Sequence, residues 1–172
     1  MYKITNRLDS AHQKLMVTIT SLDPLLFSRR PSENEWSVAE VVHHLCLVEE
    51  RVTKDLKKAL AQDSPQRISF VRRFVPTSIV ASRLIRVKAP KSVNPMNPPE
   101  KDVTIENFAI ARNKLKELCA TYGRTRLRQV VFKHPFLGEI DGVAAISFVG
   151  HHEQRHYKQI REVLRKLGVN KS

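Results

Sequence analysis

Four segments of this chain carry apolar residues at the three- and four-residue steps of an α-helix, and this periodicity constrains the fold most. A helix turns about 100° per residue, so apolar side chains at these steps form one stripe along it. The first stripe comprises Ile4, Leu8, Ala11, Leu15, Ile19, Leu22 and Leu26. The stripes predict helices over about residues 3–28, 37–62, 104–122 and 143–167. Each apolar face must be buried, which predicts an all-α, up-and-down four-helix bundle.

Capping residues mark several of the predicted helix ends. Ser37 followed three residues later by Glu40 has the pattern of a capping box at the start of the second helix. The third helix stops before Gly123, and Gly168 is placed to cap the end of the fourth.

The connections between the predicted helices differ in length and composition. Residues 63–103 hold six of the nine prolines, which predicts a long crossover between the second and third helices. We expect a short helix near residues 76–87 within it. Residues 124–141 have proline and glycine in turn positions and are expected to form a partly ordered loop, with Leu127 to Phe132 as the longest strand-like stretch.

Length and composition favour one soluble domain spanning residues 1–172. The chain has only 5 glycines, which is few for an all-β protein. No apolar run approaches the roughly 20 residues that cross a bilayer, and the N-terminus lacks a signal-peptide core, so a cytoplasmic location is expected. Cys46 and Cys119 lie within helical patterns and are interpreted as buried, reduced thiols.

The formal net charge of +13 would attract any polyanion. The basic residues form separate clusters along the chain, however, and aromatic residues make up only 6% of it. Few aromatic side chains argue against a base-stacking platform. Nucleic acid is therefore a possible partner but not the favoured one.

Two histidines in the fourth helical pattern are the strongest candidates for a metal site. His152 and His156 are four residues apart, on the same face as Ala145, Val149 and Ile160. Burying two imidazoles without partners costs free energy, whereas one metal ion satisfies both. His151 falls on the opposite, solvated side of this helix.

The second helix offers a further histidine and a carboxylate. His44 lies at the edge of its apolar stripe, and His43 lies nearly opposite the stripe, where we expect it to be exposed and dispensable, as His151 is. Glu49 falls within the stripe, where a carboxylate needs a partner. Gln159 flanks the histidines of the fourth helix.

The letters HEQRH at residues 152–156 also satisfy the bare H-E-x-x-H pattern of zinc peptidases. Glu153 could then reach the site as a general base. A peptidase of this type is a minor alternative, because the rest of the chain is helical and lacks the other features of that class.

Three stretches, which follow one another along the chain at 36–45, 134–138 and 152–160, resemble the DinB-like superfamily of metal-binding helical bundles. Residues 36–45, WSVAEVVHHL, are similar to its W-S-x-x-E-x-x-x-H-L segment. Residues 152–160, HEQRHYKQI, are similar to its H-x-x-x-H-x-x-Q-I segment, and residues 134–138, HPFLG, resemble the H-P-x-x-G element before the last helix. The resemblance implies a metal-binding triad of His44, His152 and His156, and so selects His44 over His43.

By the same resemblance, the chain is expected to be a metal-dependent enzyme. The family includes thiol-dependent S-transferases, which implies thiol transfer to a small molecule with a low-molecular-weight thiol, with hydrolysis as the close alternative. Three imidazoles leave coordination positions open and suit one divalent transition metal ion, Zn or Ni. Tyr157 and Lys158 depart from the His-Arg-Gly-Gln run of many members, which puts a shared substrate in doubt.

Glu49 and Gln159 are predicted to accept hydrogen bonds from the ligand imidazoles, since such partners orient metal-bound histidines. The alternative to an enzyme is a non-catalytic stress or binding module, stabilised by the metal, with a basic surface for nucleic acid. Either form is compatible with a homodimer.

Overall fold

The computed structural model describes residues 2–62, 90–134 and 137–169. Their elements are α1 (Tyr2–Thr20), α2 (Pro24–Ser28), α3 (Val38–Leu60), α4 (Lys101–Leu127), β1 (Val131–His134), β2 (Gly138–Asp141) and α5 (Gly142–Lys166), with a 3₁₀ turn at Lys91–Val93. The four long helices pack together, which confirms the predicted all-α four-helix bundle. In the described ranges no helix is long and apolar enough to cross a membrane.

The first predicted helix is divided in two. Asp23 caps α2, because its carboxylate accepts the backbone N–H groups of Leu25 at 2.8 Å and Leu26 at 3.4 Å. Pro24 at the first position has no N–H to continue the ladder of α1. A single helix over residues 3–28 was therefore wrong, since the apolar spacing continues across a break that Pro24 imposes.

The region after Gly123 is more ordered than expected. Gly123 takes a φ of 67°, which kinks α4, and the helix then continues to Leu127. Strands β1 and β2 pair as an antiparallel hairpin in which Val131 faces Asp141. The prediction of a partly ordered loop over residues 124–141 was wrong, because four-residue strands are too short to give a clear alternation. The short helix predicted near residues 76–87 lies outside the described residues.

The capping predictions for the start of α3 and the end of α5 are confirmed, whereas α4 does not stop at Gly123. Ser37 N–H donates to Glu40 Oε2 at 2.8 Å, and Glu40 N–H donates to Ser37 Oγ at 3.2 Å, forming the capping box of α3. Gly168 follows α5 with a φ of 84°, a left-handed conformation that favours glycine. Asp141 adds a cap at the start of α5, where its carboxylate accepts Ala144 N–H at 2.7 Å.

Two apolar clusters divide the core and reveal the direction of each helix. The first cluster contains residues such as Leu8 of α1, Leu56 of α3, Leu118 of α4 and Ala145 of α5. The second cluster contains residues such as Ile19, Val41, Phe108 and Ile160 of the same four helices. The helices therefore run up, down, down and up rather than alternating strictly. Because α3 and α4 are parallel, the end of α3 and the start of α4 lie at opposite ends of the bundle, which is why the connection between them is long.

A polar layer lies between these two clusters. It contains the buried side chains Glu49, Arg112 and Glu153, and on the side of α3 and α5 the histidines of the predicted triad. Buried polar groups need partners, so this layer is where the sequence departs from simple core packing.

Candidate metal centre

Three histidines from two helices meet in this polar layer. His44 comes from the first third of α3, and His152 and His156 come from consecutive turns of α5. Their ligand nitrogens all lie within 4.8 Å of one another. Nε2 of His152 lies 3.4 Å from Nε2 of His44 and 3.1 Å from Nε2 of His156. The structure thus brings together the three residues of the predicted triad.

Hydrogen bonds on the far side of two rings orient these nitrogens. Nδ1–H of His44 donates to the carbonyl oxygen of Val93 at 2.7 Å. Nδ1–H of His156 donates to Oε1 of Gln159 at 2.9 Å. With the proton on Nδ1, a neutral imidazole presents a lone pair at Nε2. Both rings therefore direct an unprotonated nitrogen toward His152.

Burial keeps these imidazoles neutral. It lowers the pKa of His44, where the neighbouring His43 adds to the effect and the bond to Val93 opposes it. It lowers the pKa of His152 and His156 well below the ordinary value, and the mutual proximity of the histidines lowers both further. The charge of Arg155 acts in the same direction on both. Neutral imidazole is the form that binds metals.

The donor set fits a transition metal ion. Zinc–nitrogen bonds of 2.0–2.1 Å in a tetrahedral arrangement place ligand nitrogens ~3.4 Å apart, close to the two distances given above. One proton on His152 can bridge to only one neighbouring lone pair at a time, whereas a cation at the centre satisfies all three nitrogens. The triad could therefore hold one metal ion and leave coordination positions open.

Aromatic rings surround the triad. The ring of Trp36 lies 5.2 Å from that of His44 and 6.4 Å from that of His156, between centroids. Phe148 stacks on His152 at 5.2 Å. His134, at the end of β1, packs against Phe148 at 4.4 Å, so the hairpin closes this side of the site. The apolar lining shields the triad from water and strengthens electrostatic interactions there.

An open cleft of about 850 Å³ adjoins this aromatic wall. It lies between α2, the start of α3 and residues 94–102, and Trp36 and Met96 are among its lining residues. Because Trp36 also contacts two rings of the triad, the cleft and the candidate metal site share a side chain. Its volume is in the range of small-molecule pockets.

The two predicted hydrogen-bond acceptors are placed differently. Gln159 lies on His156, as described above. Glu49 instead accepts from Nε of Arg112 at 3.0 Å and from Nη2 of the same guanidinium. The partner of this buried carboxylate is therefore the guanidinium of Arg112 and not an imidazole of the triad. The assignment of Glu49 as a direct acceptor from a ligand histidine is therefore corrected.

Glu153 belongs to the same buried ion cluster. Its carboxylate accepts from Nη2 of Arg112 at 2.6 Å and from Nδ1–H of His12 at 3.2 Å. These contacts turn it toward α4 and α1, because the fully buried side chain needs a positive partner. The structure does not place Glu153 as the general base of an H-E-x-x-H peptidase.

His43 and His151 are less exposed than predicted. Both are half-buried, and Nδ1 of His43 is buried without a hydrogen-bond partner. His43 borders a small cavity of about 170 Å³ that Cys46, Glu50 and Asn107 also line. The expectation that both are exposed was wrong; for His43 the reason is that Pro99 and Thr104 line the same cavity beside α3.

Two hydrogen-bond partners of the predicted site residues were not identified from the sequence, Val93 for His44 and Arg112 for Glu49. Val93 acts through its backbone carbonyl, which has no side-chain signal. Arg112 interrupts the apolar stripe of α4 between Phe108 and Leu115. A charged residue in a buried stripe needs a partner of opposite charge, and this was the sequence signal that could have paired Arg112 with Glu49.

The two cysteines are buried free thiols. Burial raises the pKa of Cys46 to about 12, with the nearby Glu50 and Glu49 adding to the effect. Burial also raises the pKa of Cys119 to about 11. Both are therefore protonated at neutral pH, which fits the prediction of unreactive core thiols.

Comparisons with known proteins agree with this architecture. Uncharacterized protein YuaE of Bacillus subtilis (strain 168) is 30% identical over 148 residues, which are 81% of this chain and 84% of that protein. YfiT from Bacillus subtilis, described as a probable metal-dependent hydrolase with an unusual four-helix bundle topology, superposes with a TM-score of 0.69 at 17% identity, over 98% of this chain and 87% of YfiT.

A second solved structure has the same fold. TT2238, a four-helix bundle protein, superposes with a TM-score of 0.62 at 19% identity, over 93% of this chain and 97% of that one. The family model of the DinB superfamily matches residues 7–160, from the first helix to the turn of α5 that follows the triad. The chain therefore belongs to the DinB superfamily.

Proposed function

We propose that this protein is a metal-dependent enzyme that acts on a small molecule, with one divalent transition metal ion held by His44, His152 and His156. The observation that carries the proposal is the convergence of three neutral imidazoles on one point, with Nε2 distances of 3.1 and 3.4 Å. When bound, such an ion supplies a Lewis acid that activates a nucleophile and polarises an electrophile. All-imidazole coordination suits zinc or nickel.

The residues around the triad have separate parts in the proposed reaction. Val93 and Gln159 keep the proton of two ligand rings on Nδ1, so that each Nε2 stays available. Trp36 and Phe148 exclude water from the rings. The cleft beside Trp36 would hold the non-reacting part of a small substrate, next to the side chain that contacts the rings of His44 and His156.

The nucleophile in this proposal is either a low-molecular-weight thiol or water. Thiol transfer follows from the resemblance to thiol-dependent S-transferases of the superfamily. Hydrolysis is supported by the likeness in fold to YfiT, a probable metal-dependent hydrolase. Cys46 and Cys119 supply no competing nucleophile, since both are buried and protonated.

The test begins with the metal content of the purified protein. The loaded protein is then assayed for conjugation of small thiols to an electrophile and for hydrolysis of ester and amide substrates. We expect turnover that depends on metal and is lost in His44→Ala, while His151→Ala on α5 retains it. Absence of bound metal, or turnover that survives in His44→Ala, would contradict the proposal.

A non-catalytic, nucleic-acid-binding module is the second candidate, and one observation favours it. The C-terminal ends of the parallel helices α3 and α4 lie side by side. Arg126 near the end of α4 donates to the carbonyl oxygens of Leu60 at 3.0 Å and Gln62 at 2.7 Å, at the end of α3. Exposed basic side chains surround this junction: Lys57, Lys58, Arg124 and Arg128. Cations at helix C-termini also complement the helix dipoles, which accounts for part of this bias. Salt-dependent DNA binding that is retained in His44→Ala would favour this candidate.

A further inference from the structure

We infer that Arg112 is a positioning residue for the candidate metal site, and this inference rests on the function proposed above. Arg112 lies on α4, a helix that contributes no histidine to the triad. Its guanidinium instead connects the two helices that do. Arg112 thereby controls the geometry of the triad without contacting the metal.

The guanidinium is held by contacts in three directions. Nε and Nη2 donate to the two carboxylate oxygens of Glu49, and Nη2 also donates to Glu153 at 2.6 Å. Nη1 donates to the carbonyl oxygen of Leu8 at 2.8 Å. All three charged side chains are 2% exposed or less. Because the donors of a guanidinium have a fixed planar geometry, the positions of its acceptors are tied to one another.

The acceptors belong to the ligand-bearing helices. Glu49 is five residues after His44 on α3, and Glu153 directly follows His152 on α5. The same guanidinium therefore fixes the position of α3 relative to α5, within about one and a half helical turns of the ligands. Metal–ligand bond lengths in a protein site deviate by no more than about 0.2 Å from their ideal values. A slide of α3 against α5 would separate His44 from the pair on α5 first.

The first helix completes the arrangement. His12 of α1 donates from Nδ1 to Glu153 at 3.2 Å, and its ring packs on Phe108 of α4 at 4.8 Å. With Leu8 as well, all four long helices contact the ion cluster. Burial opposes the charge on Arg112, but its hydrogen bonds to Glu49 and Glu153 and their charges raise its pKa, so the guanidinium stays charged. The ion cluster therefore connects all four long helices in the same polar layer as the triad.

A purely structural role makes a different prediction, which allows a test. Uncharged side chains of similar volume often replace a buried ion cluster without loss of stability. If the cluster only stabilises the fold, such a replacement leaves metal affinity unchanged. If it positions the ligands, metal affinity falls even when the fold stays stable.

The experiment compares wild type with the triple variant Arg112→Met/Glu49→Leu/Glu153→Met and with Arg112→Lys. Zn²⁺ affinity is measured by chelator competition, the ligand field by Co²⁺ absorption, and the stability of the metal-free proteins by urea titration. We expect at least ~10-fold weaker Zn²⁺ binding and an altered Co²⁺ spectrum in both variants, a loss of the size found when groups supporting metal ligands are removed. Lysine keeps the positive charge, but its ammonium group cannot donate two parallel hydrogen bonds to Glu49 and also reach Glu153 and Leu8.

The matched control is Lys116→Met, one turn along α4, which breaks the half-exposed ion pair of Lys116 with Asp9. It should bind metal like wild type. If the folded triple variant or Arg112→Lys bound Zn²⁺ as tightly as wild type, the role of Arg112 would be disproved while the proposed metal site would stand. If the triple variant does not fold, the affinity of Arg112→Lys decides. Wild-type protein that binds no metal would overturn the proposed function and this inference together.

Discussion

At the scale of single residues, the triad depends on nitrogen atoms that are neutral and correctly directed. We expect His44→Ala, His152→Ala and His156→Ala each to weaken Zn²⁺ or Ni²⁺ binding by more than ~100-fold, beyond the loss caused by removing a supporting hydrogen bond. The double variant His152→Ala/His156→Ala should not bind. Calorimetric titration measures these affinities. An unchanged affinity in any single variant would remove that histidine from the site.

Gln159 provides a finer test of ligand orientation. Gln159→Leu removes the acceptor of His156 Nδ1–H, so the ring loses the contact that holds its tautomer and plane. We expect metal affinity to fall by about 10- to 100-fold. Arg161→Leu, an exposed position on the same helix, is the control. Equal affinities of the two variants would show that Gln159 does not support the ligand.

At the scale of elements, the start of α5 is a tight junction. A Cβ at Gly142 would lie 2.7 Å from the backbone oxygen of Leu127 and 3.1 Å from side-chain carbons of Leu56 and Val130. We therefore expect Gly142→Ala to destabilise the fold by about 1–3 kcal/mol through overpacking. Urea titration gives this free energy of unfolding.

Gly150 on the same helix is the matched control. A Cβ there meets Leu8 Cδ2 at 3.5 Å, an ordinary contact. Alanine is also favoured over glycine by about 1 kcal/mol in a helix interior, so Gly150→Ala should be neutral or stabilising. If both substitutions had the same effect, the close approach of α5 to the end of α4 would not be the cause.

At the scale of the whole molecule, metal binding should stabilise the native state. A ligand at 100 times its dissociation constant adds about 2.7 kcal/mol to the free energy of unfolding when the unfolded chain does not bind it. Thermal melts at pH 7.5 should therefore shift upward with Zn²⁺ or Ni²⁺ for wild type and not for the double histidine variant. No shift for wild type would leave the triad as a buried hydrogen-bonded cluster.

The same burial makes stability depend on pH. The pKa of His44, His152 and His156 is lowered in the folded protein, whereas unfolded histidines titrate near 6.5. As pH falls below about 6.5, the unfolded chain binds protons that the native state does not, so the metal-free protein loses stability. Protons also compete with the metal in this range. Urea titrations between pH 7.5 and 5 test this; replacing the triad with alanine should flatten the dependence.

Local patterns already specify much of this protein. Apolar spacing identified the long helices, Ser37 and Glu40 identified a cap, and the spacing of His152 and His156 indicated one inward face. These features depend on neighbours within about four residues, so the sequence carries them directly. The break before Pro24 and the hairpin were missed, since an apolar stripe can cross a break and short strands have weak patterns.

Only the tertiary structure decided which buried groups became partners. From the sequence, Glu49 needed a partner, and the nearest candidate was an imidazole; the fold instead brings Arg112 from 63 residues away to its carboxylate. The carbonyl of Val93 reaches His44 from a segment with no side-chain signal. The parallel course of α3 and α4 likewise depends on how helices pack across the core. Long-range pairing follows from the relative placement of helices, and a helical stripe shows which face is buried but not what it faces.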